Sequence, residues 1–381
     1  MTRTMSLTSA AILATSVSSA AQSQSLTLPP DGGNQRAEVI QQIGMVRASI
    51  EYSSPDVHGP GGEDRRGKIW GTLVPWGIHD LGFNNAKGPW RAGANENTVF
   101  TISHDVKIEG QRLPAGRYGL HMIAGEGEWT IIFSKNATSW GSFTYDPKED
   151  VLRVTVKPEK APYREWLTYD FTDRQPDRAT VALQWEELRV PFTLTVDNMP
   201  ALYVEAMRRD LRNFPGFRWQ SWQAAAQYCL QQNTNLPEAL TWAENAISMP
   251  GIGQSNFSTL STKAQILEKL SRTTEAAAVM SAALDSPSAS PFAIHQYGRR
   301  LIVQGNPKEA LAVFQKNAKR FGDAWPVHVG LARGYSAVGD YKTALKHAEI
   351  ALKQAPDTLN QKSLENAVAR LKQGQDMNAG G

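Results

Sequence analysis

The sequence predicts an antiparallel β-sandwich followed by an α-helical repeat solenoid. Three observations carry that prediction. From Val46 to Val196, short runs alternate apolar and polar residues between Gly, Pro, Asn and Asp punctuation. After Asn198 the alternation stops and Ala, Leu, Gln and Lys become frequent. In that second half a pattern anchored on alanine recurs, and the steps from Ala276 to Ala310 and from Ala310 to Ala344 are each 34 residues.

The chain of 381 residues is too long for one ordinary domain and suits two. Hydrophobic residues make up 41% and charged residues 20%, enough to build packed cores. A net charge of +3 gives no reason to expect nucleic acid. The single cysteine, Cys229, excludes an internal disulfide and a cysteine-based zinc site. It reads as a small buried hydrophobe rather than a reactive thiol.

Residues 1–21 read as a secretory signal peptide. Arg3 supplies the positive start, Leu7 to Val17 a weakly apolar stretch, and Ser18, Ser19, Ala20 and Ala21 the small residues a signal peptidase needs. Residues 22–36, rich in Gln, Ser, Pro and Gly, read as a flexible lead-in. No later stretch approaches the roughly 20 apolar residues that span a bilayer. The expected location is therefore outside the cytoplasm, periplasmic or extracellular.

Residues 37–197 carry the strands. "VRASIEY" (46–52), "TVFTIS" (98–103), "GRYGLHMI" (116–123), "EWTIIFS" (128–134), "VLRVTV" (151–156), "LTYDFT" (167–172), "TVALQWE" (180–186) and "VPFTLTV" (190–196) are rich in Val, Ile, Thr and aromatics. "LPAGRY" and "AGEGEW" mark turns. Many short strands at near-regular spacing argue for a sandwich or barrel.

Residues 198–219 predict a connecting helix, 220–357 a set of helical repeats, and 358–381 a capping helix with a tail. The repeat copies are "PEALTWAENAI", "TEAAAVMSAAL", "KEALAVFQKNA" and "KTALKHAEIAL", anchored on Ala239, Ala276, Ala310 and Ala344. Small residues let paired helices approach closely, and larger ones such as Phe314 fill the space between repeats.

Both halves resemble known families. "KIWGTLVPWG" (68–77), "WRAGANE" (90–96), "LPAGRYGLHMI", "WGSFTYDPKEDVLRVTVKP" and "ATVALQWEELRVPFTL" look like the bacterial family named only as domain of unknown function 2911. The resemblance covers roughly residues 37 to 197 and implies a secreted β domain with no established activity. Two departures stand out: Ala92 where the family usually has Thr, and a longer link between Pro75 and Trp90. The helical half resembles tetratricopeptide repeats, most fully in the copy with Leu331, Ala332, Tyr335, Ala344, Ala351 and Pro356.

"WRAGANE" holds the candidate ligand-binding residues of the β half: Trp90, Arg91, Asn95 and Glu96. Gly93 permits a positive φ or a close approach. Arg91 can fork onto a carboxylate, with Glu96 the nearest in sequence. Two readings follow: a polar clamp that tethers strands, or a site for a glycan or a small carboxylate with tryptophan platforms. A third, a secreted hydrolase centred on Arg91, Asn95 and Glu96, would pair Glu96 with Asp80 or Glu63. The histidines lack a close ligand spacing, so no metal is expected, and no motif points to a cofactor.

On the repeats, the concave face is expected on the first helix of each pair. The tetratricopeptide register places Tyr228, Gln231, Gln265, Lys269, His295, Arg299 and Arg333 there. Its cations suit an acidic peptide or a chain-terminal carboxylate. The function this supports is an exported, non-catalytic binding or scaffold protein, with the β-sandwich for a ligand or surface and the repeats for a protein partner.

Overall fold

The computed structural model of the chain describes residues 33–59, 61–82 and 86–379. The expected signal peptide, and the lead-in up to residue 32, lie outside the described residues. The chain divides into two compact units, Met1–Asp197 and Asn198–Gly381.

The first unit is built of strands: β1 (Gln35–Ile43), β2 (Val46–Ser54), β3 (His79–Asp80), β4 (Lys87–Gly88), β5 (Ala94–Ile102), β6 (Val106–Ile108), β7 (Gln111–Leu113), β8 (Gly116–Ile123), β9 (Trp129–Ser134), β10 (Asp150–Val156), β11 (Glu159–Gln175) and β12 (Arg178–Thr195). One sheet runs β1-β2-β5-β8-β9-β10, a second β11-β12-β6-β7, and β3 pairs with β4. The pairs are antiparallel.

The two larger sheets face each other. Phe100 of β5 and Phe133 of β9 meet Phe192 of β12 edge-on at 6.2 and 5.9 Å between ring centroids. Tyr52 of β2 meets Tyr169 of β11 in the same way at 4.9 Å. Edge-to-face contact suits the quadrupoles of these rings, and each buried phenylalanine contributes roughly 2–3 kcal/mol of apolar burial. On β10 the alternation is plain: Leu152, Val154 and Val156 face inward while Arg153 and Thr155 face solvent.

The strands differ from the sequence reading in several places, and the short β3, β4, β6 and β7 are not among the runs it marks. "TVALQWE" and "VPFTLTV" are one strand, β12, not two. Glu186 adopts φ +54° within it, and the register against β11 shifts on either side of the Arg164–Glu186 pair. A bulge of this kind lets a long strand bend without breaking its ladder. The edge strand β1 also escapes the sequence reading and takes Gln35 and Arg36 out of the expected lead-in, because its Gln, Arg and Glu residues mask a weak alternation.

The second unit is helical: α1 (Met199–Asp210), α2 (Trp219–Gln231), α3 (Leu236–Ser248), α4 (Phe257–Lys269), α5 (Thr273–Asp285), α6 (Pro291–Val303), α7 (Pro307–Phe321), α8 (Trp325–Ala337), α9 (Tyr341–Lys353) and α10 (Thr358–Lys372). Side chains of Asn198, Asn256, Ser290, Asp340 and Asp357 cap helix N-termini. The anchors Ala239, Ala276, Ala310 and Ala344 are all buried, at 0 to 2% exposure. Each sits on the second helix of a pair, where a larger side chain would hold the helices apart. Phe314 is fully buried between repeats. The fold is thus an antiparallel β-sandwich followed by a helical-repeat solenoid. No helix among the described residues is long and apolar enough to cross a membrane.

Candidate functional site

In the β unit, "WRAGANE" leads into β5 through two residues in left-handed conformation, Ala92 (φ +54°) and Asn95 (φ +57°). Gly93 supplies close approach instead. A Cβ there would lie 2.7 Å from the Thr98 hydroxyl and 3.1 Å from the Ser53 carbonyl. The Ala92 carbonyl, fully buried, accepts from the hydroxyls of Thr98 at 3.0 Å and Tyr169 at 2.8 Å.

Arg91 and Glu96 do not pair. The Arg91 Nη1 donates to the Asn95 carbonyl at 2.7 Å, and its guanidinium lies over the Phe143 ring at 5.1 Å. Burial lowers the guanidinium pKa from its ordinary value. Glu96 turns the other way: it accepts from the Ser53 hydroxyl at 3.1 Å and stands 3.9 Å from Arg36. Asn95 accepts from the side chain of Asn34 at 3.0 Å.

Trp90 is an interior residue at 9% exposure. Its ring packs against Trp70 at 5.8 Å, Trp129 at 6.3 Å and, nearly parallel, Trp185 at 6.4 Å. A cleft of about 420 Å³ opens beside this cluster. Trp90 and Arg91 line it, as do Trp185, Arg65, His79 and Asp80. Asn95, Glu96 and Glu63 are not among its lining residues, so the structure does not bring Glu96 and Asp80 together across it. Among the described residues, no group of three or more His, Cys, Asp or Glu side chains is placed to hold a metal ion.

On the repeats, the residues expected on the concave face all fall on first helices of the pairs. His295, Arg299 and Arg333 line one cleft of about 610 Å³. Tyr228, Gln231, Gln265 and Lys269 lie outside it: Tyr228 packs on Tyr203 at 5.6 Å, and Gln265 donates to the Ser261 carbonyl at 3.0 Å. Gln231 and Lys269 are exposed. Arg370 of α10 joins the cleft. Repeat mapping misses it because α10 falls outside the last full repeat.

Arg333 is half-buried; its Nη1 donates to the Asn378 side chain at 3.1 Å, and its Nε has no hydrogen-bond partner. Burial, with Arg299 nearby, lowers its pKa, against an opposing pull from Asp376. Burial pushes His295 down to about 3, helped by Arg333 and Arg299, so its ring is neutral at pH 7. No Asp or Glu is among the lining residues of this cleft. Cys229 is buried away from both clefts, its thiol pushed up to about 11 by burial.

Fold and clefts together define a β-sandwich joined to a helical-repeat array. Residues 34–194 match the family model described as protein of unknown function (DUF2911). No curated protein matches the chain. Similar solved structures include a tetratricopeptide repeat protein from Parabacteroides merdae, at 16% identity and TM-score 0.34, covering 46% of this chain and 68% of that one. Another is the C-terminal part of a TPR repeat-containing protein from Cytophaga hutchinsonii, at 16% identity and TM-score 0.34, covering 48% and 70%. A third is YrrB, a TPR protein with an unusual peptide-binding site, at 19% identity and TM-score 0.29, covering 44% and 89%.

Proposed function

We propose that the protein is an exported, non-catalytic binding protein. Its helical repeats dock an acidic protein segment, and its β-sandwich recognises a ligand or surface. One observation carries the docking role: Arg299, Arg333 and Arg370 line a single cleft with no carboxylate among its lining residues. Three guanidiniums outnumber the one carboxylate that acts on Arg333, Asp376, and unpaired guanidinium edges attract a planar anion and hold it bidentately. A peptide carboxylate, from an acidic side chain or a chain terminus, is the partner chemistry that fits. Export rests on the sequence of residues 1–21.

The test is fluorescence anisotropy of a labelled Glu/Asp-rich peptide with a free C-terminus, titrated with the whole chain. Saturable binding that weakens with salt is expected. The double change Arg299→Glu, Arg370→Glu should weaken it by at least about ten-fold. A Lys-rich peptide of equal length binding as well, or a variant binding unchanged, would remove the docking reading.

A further inference from the structure

The cleft of the β unit carries charges of both signs, Arg91 and Arg65 with Asp80. Arg91 lines it, and no ion pair to Arg91 is found among the described residues. Its 2.7 Å bond to the Asn95 carbonyl engages Nη1 and supplies no counter-charge. A guanidinium carries five N–H donors. Of the other charged groups at the cleft, Arg65 stands 3.2 Å from Glu63, and Asp80 accepts from the Gly82 amide at 2.8 Å. His79 also lines the cleft, and its buried Nδ1 has no hydrogen-bond partner.

Part of the remaining wall is apolar, and Asn34 lines it as well. Trp90 and Trp185 lie nearly parallel at 6.4 Å, with Leu73, Pro75 and Pro89 around them. A volume of about 420 Å³ suits a small organic molecule. The tryptophans are 9% and 1% exposed, so they back the cleft from within, and Leu73 and Pro75 are its more accessible apolar surface.

We propose that this cleft binds a small organic carboxylate, its carboxylate on the Arg91 guanidinium and its apolar body against Leu73 and Pro75 beside Trp90. The proposal rests on the reading of the β-sandwich as a ligand-recognition unit and names the ligand's chemistry. The same group is presented by a free acid and by the C-terminus of a peptide ending in an apolar residue. Arg91 is held by packing on Phe143 and beneath Gly141, which places the charge without tying it to a protein carboxylate.

Isothermal titration calorimetry on the whole chain tests this with four probes. They are 3-phenylpropanoate, benzoate, 3-phenylpropanamide, and an acetylated tetrapeptide with a free C-terminal Phe. At least one acid should bind saturably, and the amide at least about ten-fold more weakly than 3-phenylpropanoate. The free acids and the tetrapeptide distinguish the two sources. Arg91→Lys should lose about ten-fold or more, because a point charge cannot replace the fork. Arg91 packs internally, so Leu73→Glu is the second variant: Leu73 is 46% exposed at the cleft, and a charge there should repel the acid while leaving the fold intact. If the amide matches the acid, the carboxylate assignment falls while ligand recognition stands. If neither acids, amide nor peptide bind, both fall. If binding survives both variants, the cleft is not the site.

Discussion

The hydroxyl of Tyr169 donates to the carbonyl of Ala92 at 2.8 Å, across 77 residues of sequence and within the sandwich. Burial, with Tyr52 nearby, pushes the Tyr169 hydroxyl well above its ordinary pKa, so it stays protonated and remains a donor. Thr98 donates to the same carbonyl at 3.0 Å. A left-handed alanine is costly for a residue with a Cβ, and these two hydroxyls hold its peptide in place. The long-range bonds of "WRAGANE" thus gather on the backbone carbonyl of Ala92, while Glu96 takes a separate bond from Ser53 of β2 and Arg91 takes none to a carboxylate.

Tyr169→Phe and Thr98→Val should each cost about 1 kcal/mol in the urea-induced unfolding of the β unit. Together they leave a buried carbonyl with no partner, so the double change should cost more than the sum of the singles. Simple additivity would mean that the two hydroxyls do not act on one carbonyl.

Glu96→Gln should alter stability by no more than about 1 kcal/mol, since glutamine keeps an acceptor for the part-buried Ser53 hydroxyl and the ion pair lost is long and half-exposed. A thermal melt on the whole chain checks this. A loss well beyond that range would return Glu96 to the clamp.

Strand periodicity and alanine spacing were legible because each depends on local repetition. "VRASIEY" became β2, and the 34-residue step became stacked helix pairs with buried alanines. The partner of Arg91 was not legible. Sequence proximity pointed to Glu96, but Asn95 takes a left-handed φ and the β2–β5 register shifts between Glu51 and Ser53. That shift brings Glu96 to Ser53, and long-range pairing of this kind is invisible in one chain's spacing. Arg65, Trp185 and Arg370 were missed for the same reason, since tertiary folding brings them to their clefts from distant positions in the chain. Arg299 and Arg333, one repeat apart on equivalent helices, were found.

Gly298→Ala should destabilise the repeat unit by about 1–3 kcal/mol, although alanine normally favours a helix interior over glycine. A Cβ at Gly298 would lie 2.3 Å from Cε1 of the fully buried Phe314. Chemical denaturation followed by far-UV circular dichroism reads the sign. A stabilised variant would mean that Phe314 can move aside without cost.

Both units should lose stability as the pH falls from about 6.5. Burial holds His121 down to about 4 and His295 down to about 3 in the folded chain, while each titrates near 6.5 when unfolded. Between those values the unfolded state binds the extra proton, so stability is complete above the unfolded pKa and drains as pH drops toward the folded one. Each histidine contributes a slope of at most about 1.4 kcal/mol per pH unit in that window. His121 resides in the β unit, hydrogen-bonded to Ser142 at 2.9 Å, and His295 in the repeats. His121→Gln should therefore flatten the pH dependence of the β transition alone, and His295→Gln that of the helical transition alone. The slope is the readout rather than the absolute stability, which either substitution will also shift. Denaturant midpoints measured from pH 4.5 to 7 decide it, and unchanged slopes in both variants would show that these imidazoles take up protons in the folded protein just as they do in the unfolded chain.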